Sequence, residues 1–305
     1  DIENGVIRCV GDPGERFNED ALRILRGLRF ASVLGFEIEA ETAEAIHSCC
    51  GLLKTISAER IHNELDRLLC GVNAEKLLEE YADVFCVFIP EISESVNFKQ
   101  YGEKHAFDVW RHICRTVGVV QNDRILRLTM LLHDLGKPRT HVLNSAGEST
   151  FPEHAPVGSQ IAEAVLRRLR YDKKTITAVS RLVKYHDFEI SADKVCVKKL
   201  LRLVSPEEYL QLLEIKRADR FALSEKYRDV SQKLARAREL LSEILENGEC
   251  YSLDTLAIGG DALKAAGIKS EAVGKCLDFL LERVIDGTLA NEKIALLGAL
   301  DINKV

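Results

Sequence analysis

Apolar residues recurring at helical spacing constrain this chain more than any other feature of its sequence. In "EDALRILRGLRFASVLG", Leu22, Leu25, Leu28 and Phe30 form one stripe, with Arg23, Arg26 and Arg29 opposite. A step of three residues turns about 300°, so the arginines drift slowly round one broad face. Asn18 reads as the N-cap of this helix and Gly35 as its stop. "ETAEAIHSCCGLLKTI" and "SAERIHNELDRLLCG" follow as two more helices, the second opening on Ser57 and carrying Arg60 and Glu64 one turn apart. "AEKLLEEYADVFCVFIPEI" closes a first bundle near Pro90.

A polar stretch, "SESVNFKQYGEKH", leads to a second helical unit running from about His105 to Ala222, in which "RILRLTMLLHDLGKP" reads as a buried helix halted by Gly136 and Pro138. A third unit starts near Leu253, with short helices around "GDALKAAGI" and "KCLDFLLERVIDG". Strand signals are few: "GVIRCV" near the start, and a hairpin from "RTHVLN" to "GESTF". The fold class expected is mainly α, a multi-domain helical array with at most a short β-hairpin. At 305 residues, about two or three compact units fit.

Composition removes several function classes. No apolar run approaches the roughly 20 residues that span a bilayer, and no signal peptide is visible, so no membrane partner is expected. The nine cysteines are scattered without a C-x-x-C pair, which suits reduced thiols in a cytoplasmic protein. A net charge of −6 excludes a general polycation; nucleic acid would meet local patches such as "RRLRYDKK" and "VKKLLRL". The chain starts at Asp1 without a methionine and its first residues read as mid-domain, so a piece lacking an N-terminal portion is expected.

Asp20 and Arg23 alone make an ordinary ion pair at a helix start. The continuation through Arg26 and Arg29 points further, because stacked guanidinium groups repel unless an anion faces them, and phosphate suits their planar fork. "IRCVGDPGERFNEDALRILRGLRFASVLGFEIEAET" resembles the neck of bacterial tRNA nucleotidyltransferases (CCA-adding enzymes) and their poly(A) polymerase relatives. Their E-D-x-x-R motif stands here as Glu19-Asp20-Ala21-Leu22-Arg23, and "ISAERIHNELDRLL" resembles their next neck motif. The resemblance implies that Asp20 and Arg23 template the incoming base of CTP or ATP, that Arg26 and Arg29 serve its phosphates and order the site, and that tRNA is the partner. Cytosine and adenine both set an amino donor beside a ring-nitrogen acceptor, which a carboxylate beside a guanidinium matches. Guanine and uracil set a carbonyl beside an N–H and would face like against like. The family's D-x-D pair, which binds Mg2+, and its G-G-x-x-R-D and R-R-D motifs belong to a head that precedes the neck; none occurs in this sequence, so this chain by itself is not expected to transfer nucleotides.

"LLHDLGKP" places His133 directly before Asp134. With His112, His154, His186 and Asp219 the order H…HD…H…H…D resembles the HD superfamily of metal-dependent phosphohydrolases. The resemblance implies one ion on His112, His133, Asp134 and Asp219, with His154 and His186 for a second ion or a substrate phosphate, which Lys137 would also meet. Imidazole with carboxylate suits Mn, Fe, Ni, Co or Zn, and an ion there would acidify a coordinated water for attack on a phosphoester. His105 is the rival to His112; His47 and His62 read as surface or interhelical, and His141 has no role assigned. "LAIGGDALKAAGIKSEAVGKCLDFLLERVIDGTLANEKIAL" resembles the tail that grips tRNA in the same enzymes, with Gly267, Ile268 and Gly274 shaping a turn. The expected order is residues 1–15 as a remnant of the head, 16–95 neck, 96–225 HD domain and 226–305 body and tail. The rival readings are a hydrolase centred on the HD residues and a noncatalytic RNA-binding module.

Overall fold

The computed structural model describes residues 1–300. These form two compact units, one of Asp1–Asp187 with Glu214–Asp229, the other of Phe188–Leu213 with the chain from Val230 onward.

The first unit opens with strand β1 (Val6–Ile7) and helix α1 (Pro13–Glu19). Asp12 caps α1 by accepting from the Glu15 amide at 2.7 Å, and Pro13 sits at the first helical position, where no N–H is needed. Helix α2 (Leu22–Leu34) starts only after a break at Asp20, whose backbone is extended and whose carboxylate accepts from the Leu22 amide at 3.1 Å. Asn18 is therefore not the N-cap expected from the sequence. It lies inside α1 and donates to the Gly14 carbonyl at 2.8 Å. An aspartate that can bond the backbone two residues on competes with a continuous helix, and here it wins. As expected, α2 ends at Gly35, which takes φ 70°.

Strand β2 (Glu37–Ile38) pairs parallel with β1, Val6 opposite Glu37 and Ile7 opposite Ile38. β1 falls within the strand expected at "GVIRCV", but its partner β2 was not among the expectations, because a two-residue strand leaves no alternation to read. α3 (Ala40–Cys49) continues as a tighter turn over Cys50–Thr55. α4 (Ala58–Leu69) opens at Ser57, though its hydroxyl makes no capping bond, and α5 (Ala74–Glu80) and α6 (Ala82–Cys86) complete the bundle. Of the apolar stripe read on α2, Leu22, Leu25 and Leu28 are the core face, buried as are Leu65 and Leu68 of α4, whereas Phe30 is exposed and lies under the Arg29 guanidinium.

Next come α7 (Val109–Val119), α8 (Arg124–Leu132) and α9 (Lys137–Thr140). Every residue from Leu126 to Leu132 is buried, so α8 is a core helix on all sides. Pro138 does not halt it. The chain turns at His133–Gly136, and Pro138 lies in the first turn of α9, a position that tolerates a missing N–H. The expected hairpin is present as β3 (Val142–Leu143) and β4 (Ser149–Thr150), antiparallel with Val142 opposite Thr150. α10 (His154–Arg168) and α11 (Lys173–Tyr185) follow.

The second unit contains α12 (Lys194–Leu201), α13 (Pro206–Phe221) up to Leu213, α14 (Ser231–Glu246), α15 (Gly260–Ala265), α16 (Val273–Ile285) and α17 (Lys293–Gly298). Leu263, Leu280, Leu281 and Leu296 are its fully buried centre. Gly267 turns the chain after α15 at φ 93°, while Gly274 lies within the first turn of α16. Among the described residues no helix is long and apolar enough to cross a membrane.

Candidate functional site

The HD residues come together from five helices and the turn after α8. His112 projects from α7, His133 ends α8, Asp134 follows in the turn, His154 starts α10, His186 ends α11, and Asp219 lies on the part of α13 that belongs to the first unit. The ligand atoms of His112, His133, Asp134 and Asp219 lie within 4.8 Å of one another, as do those of Asp134, His154 and His186. His112 Nε2 is 3.1 Å from Asp219 Oδ1 and 3.4 Å from Asp134 Oδ2; His133 Nε2 is 3.2 Å from Asp134 Oδ2. His105 stays outside both groups, its ring edge-on to Phe151.

The ring orientations are fixed by the backbone. His133, His154 and His186 each place Nδ1 2.7 Å from a carbonyl three residues back, of Met130, Phe151 and Val183. A carbonyl only accepts, so each Nδ1 donates its N–H and each Nε2 is the ring nitrogen left facing the cluster. Those of His154 and His186 face each other across 3.3 Å. His133 Nε2 and both oxygens of Asp134 are buried without a hydrogen bond of acceptable geometry. Lys137 approaches Asp134 Oδ2 to 2.6 Å as an ion pair and donates to Gln100 Oε1 at 3.2 Å. Burial works against ionisation of Asp134, yet His133 and Lys137 outweigh it and its pKa lies well below the ordinary carboxylate value. In Asp219 burial is likewise outweighed, there by the hydrogen bond and charge of His112. Burial lowers the pKa of His154, which keeps it neutral and able to ligate. Buried, converging ligand atoms of this mixed nitrogen and oxygen type fit a divalent transition metal.

The cluster opens into a cleft of about 300 Å³. Lys104, Lys137, Lys216 and Arg220 line it, together with Asp187 and Leu223. Sequence reasoning missed Lys216 and Arg220, yet the signal was there: they stand three residues before and one after Asp219, on one flank of one helix.

The neck residues are arranged differently. Asp20 sits at the α1–α2 joint with its side chain 31% exposed, and its Oδ2 accepts from Arg60 at 3.0 Å rather than from Arg23. Burial pushes the Asp20 carboxyl up, but the Leu22 amide and Arg60 prevail and its pKa falls below the ordinary value. Arg23, 33% exposed, donates to Glu19 Oε2 at 2.6 Å and to the Arg16 carbonyl at 2.8 Å. Arg26 is exposed and has no ion pair among the described residues. Arg29 lies 2.6 Å from Glu64 and stacks over Phe30 at 3.9 Å, so it is committed to the neck itself. Arg60 and Glu64, one turn apart on α4, thus hold the two ends of the arginine-bearing stretch.

Residues 35–94 match the family model described as the probable RNA and SrmB-binding site of polymerase A, and residues 103–224 match the HD domain. The CC-adding tRNA nucleotidyltransferase of Thermus thermophilus is 29% identical over 296 residues, 92% of this chain and 66% of that protein. The A-adding tRNA nucleotidyltransferase of Deinococcus radiodurans is 29% identical over 238 residues, 73% of this chain and 53% of its own length. The fold is shared with the crystal structure of the Bacillus stearothermophilus CCA-adding enzyme in complex with CTP, at a TM-score of 0.68 and 21% identity, over 98% of this chain and 65% of that one. The chain therefore spans two thirds or less of the proteins it matches. The chain thus carries an HD domain after a segment matching the polymerase A RNA-binding site, and in sequence it is similar to tRNA nucleotidyltransferases.

Proposed function

We propose that this chain supplies the base-selecting neck and the RNA-holding helices of an enzyme that adds C, A or both to the 3′ end of tRNA from CTP and ATP. Within it, residues 1–15 are a remnant of the transfer head, which holds Mg2+, 16–95 the neck, 96–225 the HD domain and 226–305 the body and tail. The observation that carries the reading is the Asp20 carboxylate at the α1–α2 joint, partly exposed and flanked by Arg23 and Arg60. Asp20 accepts from the exocyclic amino group of cytosine or adenine, and Arg23 donates to the neighbouring ring nitrogen. Guanine or uracil leaves both groups unmatched, at about 1–3 kcal/mol each. Arg26, exposed and without an ion pair, faces the triphosphate, and Arg29 orders the helix through Glu64. Equilibrium binding of the four nucleotides tests this: CTP and ATP bind about tenfold or more tighter than GTP and UTP, and Arg23→Ala abolishes the difference. Equal affinity for all four in the parent chain removes the template.

A second reading is favoured by the convergence of buried imidazole and carboxylate ligand atoms on one cleft: the HD cleft hydrolyses a phosphoester. His112, His133, Asp134 and Asp219 would hold one divalent ion, and His154 and His186 with Asp134 a second or a phosphate oxygen. When bound, such an ion supplies Lewis acidity toward the phosphoester. Lys216 and Arg220 orient the anion in the cleft, and Lys137 neutralises it beside Asp134. Metal analysis with a 2′,3′-cyclic nucleotide assay tests it. Turnover lost in Asp134→Asn is expected; stoichiometric metal without turnover in the parent refutes the hydrolase and leaves a structural ion.

A further inference from the structure

A larger groove, about 670 Å³, runs along α10 and α11 away from the histidine cluster. Four cations line it, Arg167, Lys173, Arg181 and Lys184, against a single acid, Glu163. Lys173 and Lys184 are exposed and have no carboxylate partner among the described residues. The buried lining includes Ile176 and Ser180; Ser180 is 9% exposed and its hydroxyl lacks any hydrogen-bond partner. A buried hydroxyl with nothing to bond is costly unless a ligand completes it.

The spacing of the lysines indicates what kind of anion fits. Lys173 and Lys184 stand near opposite ends of α11, about 16 Å apart along its axis. A single phosphate meets one of them, whereas a nucleic-acid strand, advancing about 3.4 Å per residue, passes both. The groove is also anchored to the RNA-binding segment. Tyr171, which lines it, donates its hydroxyl to Asp66 at 2.6 Å and packs its ring 4.7 Å from His62, and the His62 Nδ1–H donates to the Leu169 carbonyl at 2.7 Å. Both His62 and Asp66 lie on α4, inside the region matched to the polymerase A RNA-binding site. The other basic stretch of the sequence offers no such track, since Lys198, Lys199 and Arg202 are each paired, with Glu249, Asp286 and Asp278 at 2.7–2.9 Å.

We infer that the α10–α11 groove holds the phosphate backbone of the tRNA as a continuation of the neck, with Lys173 and Lys184 on its phosphates and Ser180 donating to one of them. This rests on the tRNA reading above. The test is titration of the full chain with tRNA between about 50 and 200 mM salt. Each phosphate contact contributes about 0.7–0.9 to the log–log salt slope, so Lys173→Gln/Lys184→Gln lowers the slope by about 1.4–1.8 and weakens binding about tenfold. Each single variant lowers the slope by about half as much, with melting curves confirming the fold. A double variant with the parent's slope overturns the groove and leaves the tRNA reading intact. A parent that does not bind tRNA overturns that reading itself. A variant that loses affinity for CTP or ATP while keeping that for tRNA makes the groove a mononucleotide pocket, and the inference falls.

Discussion

Gly136 is where the architecture of the HD centre is most exposed to a single methyl group. Its backbone is ordinary, so the requirement for glycine is one of space. A Cβ there would run into the carbonyl oxygen of His154 and stand 2.7 Å from the Gly158 amide nitrogen. Gly158 answers from the other side, where a Cβ would lie 3.0 Å from the His133 carbonyl. The two glycines let the turn bearing His133 and Asp134 seat directly on the start of α10, which carries His154. Backbone atoms cannot swing aside as a side-chain end can, so Gly136→Ala falls at the upper end of overpacking costs, about 3 kcal/mol. In a unit of roughly 200 residues that lowers the melting temperature by about 6–12 °C. Because the displaced atoms belong to His154, metal affinity falls as well. Gly27→Ala is the control: it lies within α2 with nothing inside 4 Å of the added carbon, and it raises stability by about 0.5–1 kcal/mol. Calorimetry of both variants, with and without Mn2+, checks the pair. A Gly136→Ala chain that melts and binds metal like the parent refutes the close seating of the turn on α10.

A divalent ion at 100 times its dissociation constant stabilises the chain by about 2.7 kcal/mol, a rise of about 5–11 °C that Asp134→Asn abolishes; a rise retained by that variant places the ion elsewhere. Lys194 and then Lys198 hold the Glu249 carboxyl down at about 2, so their contribution is present above the ordinary 4.5 and is lost as pH falls toward 2. Circular dichroism during acid titration should show this loss in the parent and a flatter profile for Glu249→Gln over the same window. Glu19→Gln frees Arg23 from an exposed ion pair worth about 0–1 kcal/mol, so CTP and ATP bind up to about fivefold tighter in a direct titration, and weaker binding contradicts the idea that Glu19 restrains Arg23.

Much of this was legible in the residue order, and the failures have identifiable causes. The apolar stripe of α2 needed only helical spacing, and Gly35 only its tolerance of positive φ. The HD set was readable because its residues are chemically unlike their neighbours, even though Asp219 stands 107 positions from His112. The start of α2 was misplaced because Glu19 and Asp20 imitate the acids of a first helical turn, while the separate helix α1, capped by Asp12 before Pro13, was overlooked. Arg60 and Glu64 were seen to be one turn apart, but nothing local says that their partners are Asp20 and Arg29, the first of them 40 positions away. Pairings of that kind are made by the packing of α2 on α4.

The two polar constellations also differ in what holds them in their present state. Asp20, Arg23, Arg60 and Glu19 are 31–51% exposed and already paired with one another. Such pairs are worth little in water, so a base edge can replace them at small cost, which is what a selecting surface requires. Asp134 is the opposite case: its side chain is 1% exposed, and its ion partner Lys137, 2.6 Å away, is buried with it. Removing its charge alone would leave Lys137 buried beside it without a carboxylate partner, which costs about 3–5 kcal/mol. The carboxylate also lies within 3.7 Å of the Nε2 atoms of four histidines, so Lys137 meets one side of it while the imidazoles crowd the other, and a divalent ion of the kind proposed above would be held by that second side.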